Sequence, residues 1–368
     1  QGANSYGQLG QGHVEDLSHP RLCGTAALEN QAVLAVSGGG GHSVLITEAF
    51  VCGQNDRGQL GLGHSANVST LQLCHSLSQR VTKVACGWDF TLFLTDCGRV
   101  LSCGSNAFGQ LGIGQTLPRT ADVLVVESLK EPVVSLAAGL RHSLAVTSGC
   151  VYQWGSGLLS HAKRALSPRP VPSHFGSALP CLVPLEQKTS HVVAAGSMHC
   201  VCLTGDGDLF LWGSNKHGQL PHSEPFLCSP TLMKRSLLAG EKVIHVWSGW
   251  THIVAQTTGR VFTWGRADYG QLGRRASTSQ SAERQSVTPS AEGGNQEACH
   301  PAEVKVLHGA TQIACGSEHN LAIVGRLLSW GWNEHGMCGD GSETDVFLPQ
   351  LVSGLRALLI GCGAGHSM

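Results

Sequence analysis

Apolar residues recur along this chain in short runs, never in long ones. Residues 191–233 show the pattern well. His191 to Ala195 is a small and β-branched run ending at Gly196, and His199 to Thr204 follows with Val201 and Leu203 on one side. Gly205-Asp206-Gly207-Asp208 reads as a hairpin turn, because glycine supplies the positive φ that such turns need. Leu209 to Trp212 is a third apolar run. A glycine-rich loop through Gly218 leads to a weaker run at Ser229–Met233, preceded by Pro225 and carrying Pro230. Proline there fits an outer edge strand, where an N–H can be spared. The period is that of strands, four to a unit, and nothing in the pattern calls for long helices.

The unit repeats. A core of the form N-x-x-G-Q-L-G begins at Gly2 (Asn4, Gly7, Gln8, Leu9, Gly10), Gly53 (Asn55, Gly58, Gln59, Leu60, Gly61) and Gly104 (Asn106, Gly109, Gln110, Leu111, Gly112). Later copies begin at Gly213 (Asn215, Gly218, Gln219, Leu220), Gly265 (Asp268, Gly270, Gln271, Leu272, Gly273) and Gly331 (Asn333, Gly336, Gly339), with a degenerate copy at Trp154-Gly155. The lead glycines 2, 53, 104, 155, 213, 265 and 331 are spaced by 51, 51, 51, 58, 52 and 66 residues. A second motif, Gly-x-x-His, falls between these copies and ends at His42, His142, His199, His252, His319 and His366. In its second copy, Gly87-Trp88-Asp89-Phe90, phenylalanine replaces the histidine.

Seven copies of each motif and four strands per unit predict an all-β fold, a seven-bladed β-propeller of four-stranded antiparallel blades spanning residues 1–368 as one domain. The terminal blade is expected to be shared between the two chain ends and to be incomplete. The chain begins at Gln1 rather than Met, which suggests a processed form or a fragment. Two stretches break the period. Residues 156–190 form a divergent blade segment rich in Ser, Pro and His. Residues 274–303, poor in apolar groups, read as a flexible inter-strand insert.

Composition refines this picture. There are 48 glycines among 368 residues and only 13% charged residues, which suits tight turns between short strands. A net charge of −1 argues against a phosphate-backbone binder, so no nucleic-acid partner is expected. No apolar run of membrane-spanning length occurs, so no membrane insertion is expected. The fifteen cysteines have no C-x-x-C spacing and read as small buried hydrophobes rather than zinc ligands or disulfides. No nucleophile elbow, phosphate-binding loop or H-E-x-x-H motif is present. No covalent catalysis, cofactor or metal site is therefore expected.

The repeated histidines invite a metal or general-base reading. A residue that recurs in nearly every unit more simply serves the unit, its imidazole hydrogen-bonding the backbone of a turn near a central channel. Trp154, Trp212, Trp264 and Trp330 precede a lead glycine where Cys52 and Cys103 stand in other copies, and such interchange marks packing. Trp88, Trp250 and Trp332 sit in loops instead. They read either as interface anchors or as caps of the channel.

Taken together, the two motifs resemble the repeat family of the regulator of chromosome condensation. The resemblance covers all seven units, and finer stretches (Ala85–Thr91, Trp247–His252, Phe262–Gly273, Ser329–Gly341) resemble a branch of it tied to protein secretion. It implies a mostly cytoplasmic protein with some nuclear presence, and a monomer is expected. Its activity would be guanine nucleotide exchange on, or binding of, a small GTPase or an exocytosis-related partner. In the family's founding member, exchange depends on acidic and histidine residues beside the Gly-x-x-His turns. Carried over by position, Trp88, Asp89, Arg141, Trp250, Thr251 and Glu318 would form the partner-binding face, with Met198 in the corresponding place of the fourth unit. The founding member's hairpin wedge has no counterpart in residues 156–170, and its basic tail is absent. Both departures weaken the case for the same GTPase and argue against nucleosome binding. A non-catalytic interaction scaffold of the same fold is the alternative, and a hydrolase or lyase using the channel histidines is the remote one.

Overall fold

The computed structural model describes residues 1–114, 116–186, 188–275 and 297–368. Six four-stranded antiparallel sheets follow one another around a ring. The first blade holds β1 (Ala35–Gly38), β2 (His42–Ile46), β3 (Phe50–Gly53) and β4 (Val68–Leu73). The second holds β5 (Val81–Cys86), β6 (Phe90–Thr95), β7 (Val100–Ser105) and β8 (Arg119–Val125). The third holds β9 (Val133–Ala138), β10 (Ser143–Thr147), β11 (Cys150–Trp154) and β12 (Cys181–Leu182). The fourth holds β13 (Ser190–Ala195), β14 (His199–Thr204), β15 (Leu209–Ser214) and β16 (Phe226–Leu232). The fifth holds β17 (Val243–Ser248), β18 (His252–Thr257), β19 (Val261–Gly265) and β20 (Ala302–Glu303). The sixth holds β21 (Gln312–Cys315), β22 (His319–Val324), β23 (Arg326–Gly331) and β24 (Val346–Leu351).

This corrects the expected blade number: the propeller has six blades, not seven. The repeat motifs near the two chain ends do meet, but as isolated bridges, Gly2 with His366 and Leu17, and Cys362 with Ser367. The motifs count turns, and a turn can persist where single bridges replace a ladder. The terminal stretch still sits between the sixth and first blades. Ser317 N donates to Ala364 O at 3.2 Å, and Ala364 N donates to Gly39 O at 2.9 Å.

Within a blade the sequence pattern holds closely. β14 has the bounds expected for its apolar run, and β16 carries Pro230 on the sheet edge, paired only to β15. The core is spread between blades rather than gathered at one centre. Val44, Ile46 and Val51 of the first blade pack with Phe93 and Leu101 of the second, and Leu144, Val201, Trp212 and Trp264 continue the packing through the third to fifth blades. A blade therefore buries its faces only in the company of its neighbours.

The divergent segment 156–190 contains an element the sequence pattern did not announce. It is α1 (Leu159–Leu166), lying between β11 and β12, with Leu158 and Ala162 fully buried. Most of the insert expected at 274–303 lies outside the described residues. Its described ends follow β19 and lead into β20, and the Arg274 guanidinium donates to Thr263 O at 3.1 Å and His300 O at 2.9 Å.

Candidate functional site

Each Gly-x-x-His turn joins the first and second strands of a unit, and each N-x-x-G-Q-L-G loop joins the third and fourth. In an antiparallel meander these two connections emerge at the same end, so both motifs share one face of the ring. The first-strand ends and the turns surround a central cavity of about 80 Å3. Gly39, Gly87, Gly139, Gly196, Gly316 and Gly363 are among its lining residues, with Trp88 and Trp250.

The two motifs lock together. In the loop, the Asn side chain closes the turn: Asn55 Oδ1 accepts from Leu60 N at 3.0 Å, while Asn55 Nδ2 donates to the carbonyls of His64 and Ala66. Gln59 Oε1 accepts from Arg57 N at 2.9 Å, which leaves the Gln59 carbonyl pointing at the next blade. There it accepts from the Thr91 hydroxyl at 2.7 Å and the Cys103 thiol at 3.4 Å. In later units indole replaces thiol: Trp154 Nε1 donates to Gln110 O at 2.8 Å and Trp264 Nε1 to Gln219 O at 2.9 Å. The fifth loop is an exception. Gly270 N bonds Ala267 O, so Ala267 holds the place of the asparagine, and Asp268 lies one residue further on, paired with Arg266 at 2.7 Å.

The histidines complete the clamp by reaching polar side chains, most of them in the next unit. His42 Nε2 lies 2.8 Å from Thr91 Oγ1, His366 Nε2 2.8 Å from Ser43 Oγ, His319 Nε2 3.0 Å from Ser367 Oγ and His252 Nε2 2.7 Å from Asn320 Oδ1. Each partner is the residue after the equivalent position in the next unit. His199 uses Ser248 instead, at 2.7 Å. The Thr91, Ser43 and Ser367 hydroxyls already donate to carbonyls. The imidazole must therefore donate from Nε2, and Nδ1 is left bare. That Nδ1 has no partner among the described residues in any of these five histidines. Burial pushes their pKa values from 6.5 down to about 3, or about 4 for His252. The ring of each also fills the space a Cβ would need on the first glycine of its own Gly-x-x-His turn: one built on Gly196 would lie 1.9 Å from His199 Cε1. His142 differs, since its ring reaches no polar side chain; burial lowers its pKa to about 4, opposed by the backbone of His199. Cys200 stands where the hydroxyl would be.

The carried-over face residues come together only in part. Trp88 of the second blade and Trp250 of the fifth reach across the channel mouth, their ring centroids 5.2 Å apart and tilted by 59°. Trp88 is 38% exposed. Asp89 is half-buried beside it. Burial raises the carboxyl's pKa, and Arg57 and Arg141 oppose that rise. Asp89 Oδ1 is enclosed without a hydrogen-bond partner, and so is Gln59 Nε2. Arg141 is exposed, its guanidinium 4.4 Å above the Phe108 ring. Thr251 and Glu318 turn inward. The Thr251 hydroxyl lies 2.8 Å from both Glu318 carboxylate oxygens, and Gln271 Nε2 donates to Oε2 at 2.7 Å. Burial raises the Glu318 pKa as well, opposed by these hydrogen bonds and by Arg266. Met198 is half-buried.

Sequence reasoning passed over the residue before the second glycine of each loop. It is Tyr6, Arg57, Phe108, His217, Tyr269 or His335. Two of these rings carry guanidinium groups, Phe108 under Arg141 and Tyr269 under Arg266 at 4.9 Å. Trp332 lies between Tyr269 and His335, with centroids at 6.5 and 5.6 Å. Five aromatic or imidazole rings at one repeat position was the available signal. Among the described residues no group of His, Cys, Asp and Glu is arranged to hold a metal ion. No helix among them is long and apolar enough to cross a membrane.

A ring of repeat units held by these two motifs defines the class, and the comparisons agree: the whole chain, residues 1–368, matches the RCC1-like domain family and belongs to it. It is 51% identical over 379 aligned residues to the secretion-regulating guanine nucleotide exchange factor of Bos taurus, covering 100% of this chain and 81% of that protein. The protein of that name from Mus musculus is 48% identical, again over 100% of this chain and 82% of its own length. Among solved structures, Prp20p of Saccharomyces cerevisiae superimposes with a TM-score of 0.82 at 22% identity, over 100% of this chain and 89% of that one. That likeness is one of fold.

Proposed function

We propose that this protein is a regulatory propeller that binds a small GTPase through the face bearing Trp88, Asp89, Arg141 and Trp250, speeds guanine nucleotide release, and so acts in the control of protein secretion. The observation that carries the reading is the full-length similarity to exchange factors of that name, at 51% identity. The physical mechanism needs no covalent step. The face binds the nucleotide-free conformer of the GTPase more tightly than the loaded one, which shifts the population toward release. Trp88 and Trp250 supply rigid aromatic area at the centre of the face, and Asp89 supplies a half-buried carboxylate beside them. A monomeric state, and a cytoplasmic place of action with some nuclear presence, go with this assignment.

Release of a fluorescent guanine nucleotide from a panel of small GTPases, with and without the protein, tests the reading. Acceleration of at least one member is expected, and no acceleration across the panel contradicts it. The second reading is a binding scaffold without exchange. It is favoured by the internal commitment of Glu318, which leaves Asp89 as the free acid of the two carried over from the family. A partner retained on the protein with its nucleotide release unchanged would select that reading.

A further inference from the structure

Residues 132–185 contain no aspartate or glutamate, yet they hold Arg141, Lys163, Arg164 and Arg169. In a chain of net charge −1 this is a marked local imbalance. The fold concentrates it on the candidate face. Gly157 N donates to Arg141 O at 3.2 Å, and Leu158 packs close to Gly213 of the fourth blade. Helix α1 therefore starts between the Arg141 turn and the fourth blade's loop, where Lys216 is exposed. Lys163 and Arg164 are exposed on the helix. The His161 pKa is lowered first by burial and then by Arg164 and Lys216, so cations of two units act on one imidazole. Neighbouring cations on this face are matched, Arg57 by Asp56 at 3.5 Å and Arg266 by Asp268 at 2.7 Å. Arg141, Lys163, Arg164 and Lys216 form no ion pair among the described residues.

We propose that this basic sector, built from Arg141, the exposed side of α1 and Lys216, docks an acidic segment of the partner protein. The inference rests on the reading that this face binds a protein, and it names the chemistry of that partner. Unpaired like charges on one surface repel in the free protein, and an acidic segment relieves that repulsion while steering the encounter. A protein suits the sector better than a lipid surface does. The helix buries Leu158 and Ala162 and leaves Leu159 and Leu166 half-covered, so it presents no fully exposed large apolar side chain to a bilayer.

Anisotropy of a fluorescein-labelled oligoglutamate peptide, titrated with the full chain at low and high salt, tests the proposal. The wild-type chain should bind the peptide, more weakly at high salt. The double variant K163E/R164E should weaken binding about tenfold or more. The double variant R99E/R326E, at the opposite end of the ring, makes the same change in net charge. It should stay within about twofold of wild type. Equal weakening by both doubles, or by neither, overturns the proposal. So does sedimentation of the wild-type chain with phosphatidylserine-containing vesicles when the peptide does not bind. The titration uses no GTPase. Peptide binding through Lys163 and Arg164 without nucleotide release anywhere would uphold the sector and discard exchange. Exchange without peptide binding would do the reverse.

Discussion

The turns Gly87–Phe90 and Gly316–His319 hold equivalent places in the second and sixth units, yet their chemistry is finished to different degrees. In the sixth unit the acid of the turn is consumed: Glu318 takes hydrogen bonds from Thr251 and Gln271, and His319 reaches Ser367 in the terminal stretch. In the second unit the corresponding acid, Asp89, has an enclosed oxygen with no partner. The glutamine corresponding to Gln271 is Gln59, whose Nε2 is also unpartnered, and Phe90 replaces the histidine. Aspartate is one methylene shorter than glutamate, which accounts for the bond being made in one turn and not in the other. The lesson is that the repeat spends its polar groups on holding blades together wherever it can. A unit that leaves such groups unspent is where recognition chemistry can sit.

The largest expected effect separates the two turns by pH. The histidines remain neutral in the folded state, His319 with a pKa of about 3 against 6.5. Between those values the unfolded chain binds more protons, so the contribution of these histidines is flat above pH 6.5 and falls as pH drops below it. The cost is about 1.4 kcal/mol per pH unit for each such imidazole. His319→Phe should remove about one proton from that slope, measured by urea unfolding between pH 7 and 5. Phe90→Leu, in the turn without an imidazole, should leave the slope unchanged. Equal slopes in all three proteins would show that His319 titrates normally when folded.

Next in size is the acid itself. Glu318→Ala strands the Thr251 hydroxyl and Gln271 Nε2 and should cost about 2–3 kcal/mol in denaturant unfolding at neutral pH. Asp89→Ala removes at most a bond to its own backbone N–H and should change stability by less than about 0.5 kcal/mol. Comparable losses in the two variants would erase the distinction drawn here. Smaller again is the reciprocal change Phe90→His. The new ring would face Ser143, whose hydroxyl already donates to Gln110 O at 2.8 Å as its counterparts do. Loss of Phe packing and gain of one hydrogen bond should nearly cancel, to within about 1 kcal/mol. Of similar size is the coupling of Trp88 with Trp250, about 0.5–1.5 kcal/mol in a double-mutant cycle on stability. Zero coupling would mean the rings do not meet in solution.

Much of this was legible in the sequence because repetition shows which positions serve the unit. The spacing of lead glycines, the strand β14 and the shared place of Trp and Cys before each lead glycine all follow from it. Blade number was not legible, since turn motifs recur at the chain ends where only isolated bridges form. Helix α1 has no counterpart in other units, so comparison between units could not reveal it. The Trp88–Trp250 contact joins residues far apart in sequence and arises only when the ring closes. The inward turn of Glu318 depends on Thr251 and Gln271 of the neighbouring blade, which no single motif contains. The hydroxyl partners of the histidines were hidden for the same reason.

The central claim is that the unspent acid of the second unit acts on a partner, while its counterpart in the sixth unit holds the ring. Nucleotide release from a responsive GTPase, measured with Asp89→Ala and with Arg99→Ala at the far end of the ring, tests this most directly. The account predicts that Asp89→Ala slows release about tenfold or more at unchanged stability, an interface hot-spot loss of about 1.4 kcal/mol, while Arg99→Ala behaves as wild type. Release by Asp89→Ala at the wild-type rate would contradict it.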